Sequence, residues 1–215
     1  MILPALWIMM TLAAVPEEVS FPTQDGGIVF ADLYGSGQRA VVLAHGARFD
    51  KASWKDQANR IADAGFRVAA VEFRGYGKSK AGPKSQSPSD ERHLDILATV
   101  EYLRRHGAKT VAVIGASMGG GASANAVAQG SPGAIDRLIL LAPVPIEHPE
   151  RLTCPKLYIV AEGDSLAPRV REQYAKAPEP KQLIVLEGSA HAQVLFTTDQ
   201  SERVMSEMLR FLNKQ

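Results

Sequence analysis

The sequence predicts an α/β fold: a doubly wound, mostly parallel sheet with an N-terminal antiparallel hairpin. Three observations carry that expectation. Four short runs, Val41–Ala44, Val68–Phe73, Val111–Ile114 and Leu138–Leu141, are largely apolar without alternation, as strands buried on both faces are. Two further runs, Lys156–Val160 and Leu183–Leu186, follow later in the chain. Segments of helical periodicity separate them, and strand alternating with helix is the pattern of parallel strands joined by crossovers.

Each element has a local warrant. Ile2–Ala14 is apolar and ends in small residues; it is too short to span a membrane but has the length of a signal-peptide core. Cleavage after Ala13 would put Thr11 and Ala13 at the small-residue positions, whereas no Lys or Arg precedes the stretch. Residues 1–16 are read as an export signal or an apolar N-terminal extension, and a periplasmic or secreted location is favoured over a cytoplasmic one. Residues 17–215 are read as one domain, without repeats or linkers. Glu18–Thr23 and Ile28–Tyr34 flank Asp25-Gly26-Gly27, a turn signal for the hairpin. Ser53 with Asp56 resembles a capping pair opening a helix over Trp54–Ala64, with Gly65 as its stop. Asp90–His106 carries Leu94, Leu97, Val100 and Leu103 and ends at Gly107. Met118–Gln129 is a helix of small residues, and Ser201–Leu212 aligns Val204, Met208, Leu209 and Leu212.

Charge and cysteine content narrow the function. Twenty-four basic residues stand against 23 acidic ones, for a net charge of +1, and no basic run makes up for it. Such a chain has no field for holding nucleic acid. Cys154 is the single cysteine, so it forms no intramolecular disulfide, and it has no metal-ligand companion. It reads as a small buried side chain. No metal and no cofactor is expected.

The strongest chemical signal is Gly115-Ala116-Ser117-Met118-Gly119, placed between a strand and a helix. In that setting G-x-S-x-G forms a sharp turn that lifts the serine hydroxyl above the sheet. Glycines are needed because strand and helix approach closely there, and the helix N-terminus adds partial positive charge. Gly120 and Gly121 also suit a turn that serves only tight packing. The decision rests on an acid and a base later in the chain. Lys156–Val160 is followed by Glu162 and Asp164, and Leu183–Leu186 by Gly188-Ser189-Ala190-His191. The order nucleophile, acid, histidine makes Ser117 and His191 candidate catalytic residues, with Asp164 or Glu162 as the acid; the family likeness given below favours Asp164. His45-Gly46-Ala47 ends the first parallel strand; the backbone N–H groups of Ala47 and Met118 are the candidate oxyanion donors, and His45 reads as a loop-holding residue. His93, His106 and His148 read as solvated or helix-end residues.

These residues resemble the α/β-hydrolase superfamily from Val19 onward, and specifically its small, cap-poor serine hydrolases related to dienelactone hydrolases and bacterial esterases. The likeness is carried by His45-Gly46, by the Ser117 turn and by Gly188-Ser189-Ala190-His191. Glu72-Phe73-Arg74-Gly75-Tyr76-Gly77-Lys78-Ser79 is similar to the family's D-x-R-G-x-G-x-S loop, and Asp164-Ser165-Leu166-Ala167-Pro168 to its D-x-x-x-P. Glu72 replaces the common Asp, and Ala161 stands where many relatives have Gly; the resemblance makes both positions structural. About a dozen residues, with Pro143, Pro145 and Pro149, occupy the site of larger relatives' caps, too few to build a lid.

The resemblance implies cleavage of a small-molecule carboxylic ester or thioester through an acyl-serine, and the short Pro143–Pro155 connection, which leaves the site open, favours short acyl groups. Acyl transfer or perhydrolysis would use the same intermediate, and a non-catalytic binding module is the third reading. Relatives acting on epoxides or haloalkanes use an aspartate nucleophile, which Ser117 disfavours. Arg48, Phe49, Tyr76 and Leu166 are candidate substrate-lining residues, although packing or a surface ion pair explains them equally well. No stable membrane span is expected, and the oligomeric state is open.

Overall fold

The computed structural model describes residues 15–214, so the apolar N-terminal stretch lies outside the described residues. Eight strands form one sheet in the order β1-β2-β4-β3-β5-β6-β7-β8. They are β1 Glu17–Pro22, β2 Ile28–Tyr34, β3 Arg39–Ala44, β4 Arg67–Glu72, β5 Thr110–Ala116, β6 Arg137–Leu141, β7 Lys156–Ala161 and β8 Lys181–Leu186. The first two pair antiparallel in a hairpin, with Pro22 opposite Ile28, and β2 pairs antiparallel with β4. From β4 to β8 every pairing is parallel. The expected mostly parallel sheet with its N-terminal hairpin is what the chain forms.

Five α-helices complete the fold among the described residues: α1 Lys55–Asp63, α2 Arg92–Arg105, α3 Met118–Gln129, α4 Ala167–Lys176 and α5 Ser201–Leu212. Strands β3 to β7 are buried along nearly their whole length, which requires cover on both faces and explains why their sequences do not alternate. Strand β8, at the edge, is only half-buried until Leu186.

Two local expectations need correction. The segment before α1 is a 3₁₀ turn, Lys51–Trp54, and its cap is Asp50, whose side chain accepts from the Ser53 N–H. Ser53 is thus inside the turn rather than opening the helix, and Asp56 lies in the first turn of α1 without making a capping box. Helix α4 was not expected. Its inward positions include buried Gln173 beside Ala167 and Val170, so the apolar stripe that would reveal it is interrupted by a polar residue.

Strand order places the functional region. The chain leaves β3 toward β4 on one side and later returns to β5 on the other. Loops leaving the carboxyl ends of β3 and β5 therefore diverge, which opens a crevice above the sheet at that point. The connection from β6 to β7, residues 142–155, contains one 3₁₀ turn among the described residues, Pro149–Arg151.

Candidate active site

Ser117 stands in that crevice, between β5 and α3, with φ 50° and ψ −113°. This is a conformation that non-glycine side chains avoid, held here by the surrounding backbone. The Ser117 N–H donates to the Leu141 carbonyl at 2.9 Å, and its own carbonyl accepts from Gly121 and Val144, both at 3.1 Å. Close approach of helix and strand explains the glycines. A Cβ on Gly115 would lie 2.5 Å from the Gly119 carbonyl oxygen, and one on Gly119 would lie 2.3 Å from the Ala44 carbonyl oxygen. Both readings of the motif hold together: the glycines pack the turn, and the turn presents the hydroxyl.

The hydroxyl meets a histidine. Ser117 Oγ lies 2.8 Å from His191 Nε2, and His191 Nδ1 lies 2.7 Å from Asp164 Oδ2. Asp164, just past β7, is only 4% exposed, and its other oxygen accepts the Leu166 N–H at 2.8 Å. With one oxygen fixed by backbone, the carboxylate has a single orientation to offer the imidazole. His191, beyond β8, has its side chain 40% exposed, so its outer edge reaches solvent. The loops of acid and histidine are joined by the Gly163 N–H to the Gly188 carbonyl at 2.9 Å. Glu162, the competing acid, is exposed, and its N–H is spent on the Leu186 carbonyl.

The loop after β3 comes alongside Ser117: a Cβ on Gly46 would sit 3.6 Å from Ser117 Cβ. Its backbone groups can be accounted for one by one. The Gly46 N–H donates to Gln193 Oε1 at 2.7 Å. The Gly46 carbonyl accepts from His45 Nδ1 at 2.9 Å and from the Phe49 N–H at 3.0 Å. The Ala47 carbonyl accepts from the Tyr76 hydroxyl at 3.0 Å. That leaves the Ala47 N–H with no acceptor among the described residues, and the Met118 N–H, at the first position of α3, is free in the same sense.

His45 is fully buried, and burial lowers its pKa, with the Gly46 carbonyl pulling the other way. Its Nε2 accepts the Phe73 N–H at 3.3 Å, which assigns the proton to Nδ1 and the neutral form to the ring. Glu72, whose pKa burial raises, accepts the Lys51 N–H and lies 3.7 Å from His45 Nε2. Both residues hold loops through these contacts. Arg74 of the same motif is buried between Asp25 and Asp95, with contacts of 2.8–3.2 Å. It ties the hairpin turn to α2. His93, His106 and His148 are at the surface.

A cavity of about 620 Å³ borders Ser117 and His191, walled mainly by Ala47, Arg48, Phe49, Ala192 and Val194. Of the candidate substrate-lining residues, Arg48 and Phe49 border this cavity, whereas Tyr76 and Leu166 lie outside its wall. Tyr76 faces an adjoining depression, packs edge-on against His45 and holds the Ala47 loop through its hydroxyl. Leu166 caps α4 and serves Asp164 through its backbone N–H. Gln193 was missed by sequence reading, and only its place two residues after His191 hinted at it. Cys154 is buried, and burial pushes its thiol up to about 11, as befits a packing residue. Among the described residues no three His, Cys, Asp or Glu side chains converge as a metal-binding group, and no helix is long and apolar enough to cross a membrane.

Comparison with known proteins bears on the fold and the family. The chain is 31% identical over 126 residues to the non-heme chloroperoxidase CPO-A1 of Kitasatospora aureofaciens, covering 57% of this chain and 43% of that protein. It is 40% identical over 88 residues to bifunctional epoxide hydrolase 2 of Sus scrofa, covering 40% of this chain and 15% of that protein. The matches thus span less than half the length of these relatives. A solved esterase of Pyrococcus furiosus superposes with a TM-score of 0.78 at 20% identity, covering 98% of this chain and 95% of the other, a likeness of fold. A family model described as serine aminopeptidase, S33, matches residues 35–150. None of these four matches is to a dienelactone hydrolase. The chain therefore belongs to the S33 serine aminopeptidase family of α/β hydrolases.

Proposed function

We propose that this protein is a serine hydrolase that cleaves carboxylic esters or thioesters, with short acyl groups, through an acyl-serine intermediate. The observation that supports it best is the unbroken line from Ser117 Oγ through His191 to Asp164, at 2.8 and 2.7 Å. In this reading His191 Nε2 takes the Ser117 proton as Oγ attacks the carbonyl carbon. The Ala47 and Met118 N–H groups hold the negative oxygen of the tetrahedral intermediate. The imidazolium then protonates the departing alkoxide or thiolate. Water, deprotonated by His191, attacks the acyl-serine and releases the acid and free Ser117. Asp164 holds the ring with Nδ1 protonated throughout. An aspartate nucleophile, which epoxide opening in this superfamily would use, has no counterpart at position 117.

A second reading keeps the acyl-serine and changes the acceptor. Relatives named chloroperoxidases favour testing hydrogen peroxide, which would attack the same carbonyl and leave as a peracid. Competition between water and peroxide for one acyl-enzyme separates the two readings. The central claim is tested with a fluorophosphonate probe. It is expected to label the wild-type protein at Ser117 and to leave Ser117→Ala unlabelled. Equal labelling of the folded Ser117→Ala variant would sink the reading.

A further inference from the structure

Gln193 is 6% exposed and takes part in no ion pair, yet its amide joins two loops. Oε1 accepts the Gly46 N–H at 2.7 Å, and Nε2 donates to Ser53 Oγ at 2.8 Å. The Gly46 N–H can only donate, and the Ser53 hydroxyl gives its proton to the Asp50 carbonyl, which together fix which end of the amide faces which. Gln193 belongs to the segment that carries His191. The intervening residue, Ala192, is buried with φ 50°, a left-handed conformation that residues other than glycine avoid. Such strain persists only where the surroundings impose it. Here it begins the 3₁₀ turn Ala192–Thr197 that directs Gln193 inward.

The other end of this contact is the residue just before Ala47. A trans peptide is planar, so its C=O and N–H point in opposite directions. The Gly46 carbonyl and the Ala47 N–H share one peptide unit, and the Gly46 carbonyl is already held by His45 and Phe49. Gln193 holds the preceding N–H. Gly46 is thereby fixed on both sides, and the Ala47 N–H has one direction left to it. We propose that Gln193 is a positioning residue, clamping the Gly46–Ala47 loop to the His191 segment so that the Ala47 N–H is aimed at the developing oxyanion. Serine, base and oxyanion donor are then set by one contact network rather than by three independent loops. The inference rests on the reading of Ser117 and Ala47 given above.

The test uses Gln193→Met, which keeps length and loses both hydrogen bonds, and Gln193→Glu, which keeps the acceptor for Gly46. Turnover of p-nitrophenyl acetate, affinity for a short alkylboronic acid that forms a tetrahedral adduct, and amide hydrogen exchange at Gly46 are measured on each. For Gln193→Met the kcat is expected to fall about 10- to 100-fold with KM within about twofold, as for a misaligned oxyanion donor. Boronate affinity should fall in parallel, and exchange at Gly46 should quicken. Gln193→Glu should restore most of all three. Faster exchange with unchanged kcat, or lower kcat with unchanged boronate affinity, overturns the proposal. If Gln193→Met does not fold, Ser53→Ala decides: it removes only the Nε2 partner and should lower kcat and boronate affinity together by about threefold. No change in either then overturns it. Failure of the underlying reading looks different, because Ser117→Ala would keep its activity and the wild type would not bind boronate. The positioning role of Gln193 would fall with it.

Discussion

Asp164 and Glu162 are two residues apart on one loop, and their environments decide between them. Asp164 is almost completely buried, with one carboxylate oxygen on the Leu166 N–H and the other on His191; Glu162 points to solvent. A carboxylate that orients an imidazole must itself be fixed, which only Asp164 is. Asp164→Asn should therefore lower kcat on an activated ester by roughly 10³- to 10⁴-fold with the fold intact, because the wrong tautomer of His191 is then favoured. Glu162→Gln should leave kcat within about twofold. Steady-state kinetics on the pair decides the assignment, and the reverse pattern would refute it.

Strand and helix meet most tightly at the Ser117 turn. A Cβ on Gly119 would be 2.3 Å from the Ala44 oxygen and 2.7 Å from the His45 oxygen, both backbone atoms that cannot rotate away. Gly119→Ala should cost about 3 kcal/mol in urea unfolding. Gly107, just past α2, has φ +90° and open space around it, so Gly107→Ala should cost only about 1 kcal/mol from backbone strain. Equal costs would mean that close approach is not what selects glycine at 119. The hairpin is joined to α2 through Arg74, and the Asp25 carboxylate reports on that junction. Burial alone would raise its pKa, but bonds from Thr23, Arg74 and Gly82 more than offset this and hold it at about 2. The unfolded value is about 3.9, so the folded form is the stronger acid. Its contribution to stability is present above about pH 4 and is lost as pH falls toward 2. Between those values the wild type should lose stability faster than Asp25→Asn, and the gap between them should narrow. A gap independent of pH would show that the Asp25 charge contributes nothing.

At the scale of the whole molecule, every group of the site sits at the carboxyl ends of parallel strands, over the point where strand order reverses. The cavity beside Ser117 has Val194 on its wall, a large apolar side chain left 40% exposed. With one 3₁₀ turn on the β6–β7 connection, that segment carries no cap over it. Full burial of a methylene is worth about 0.8 kcal/mol, close to a fourfold gain in kcat/KM, but only where a wall surrounds it. Expected, then, is a rise in kcat/KM over the first few acyl carbons, followed by a plateau or decline. A p-nitrophenyl ester series from acetate to palmitate tests this. A steady increase through the longest chains would mean a deep acyl channel and would contradict the open-cleft reading.

What could be read from the sequence was whatever local physics encodes. Non-alternating apolar runs revealed the buried parallel strands, Asp25-Gly26-Gly27 the hairpin, and the glycines around Ser117 a turn that no other residue could close. Chain order then pointed to His191 and to Asp164 or Glu162, the likeness of Asp164–Pro168 to D-x-x-x-P favoured Asp164, and the fold brings Asp164 and His191 to Ser117. Local patterning was weaker where a polar residue faces inward, as Gln173 does in α4, or where the cap precedes the apparent signal, as Asp50 does. Sequence likewise shows that a large side chain such as Tyr76 or Leu166 is near a site but not which cavity it borders. The contact of Gly46 with Gln193 spans 147 positions, and that of Ser53 with Gln193 spans 140. Neither has a periodicity or a motif, because a hydrogen bond between distant loops depends on where the packed sheet sets those loops, and the sheet is set by the core. Sequence alone determined which residues stand at strand ends; the tertiary structure decided which of their polar atoms meet.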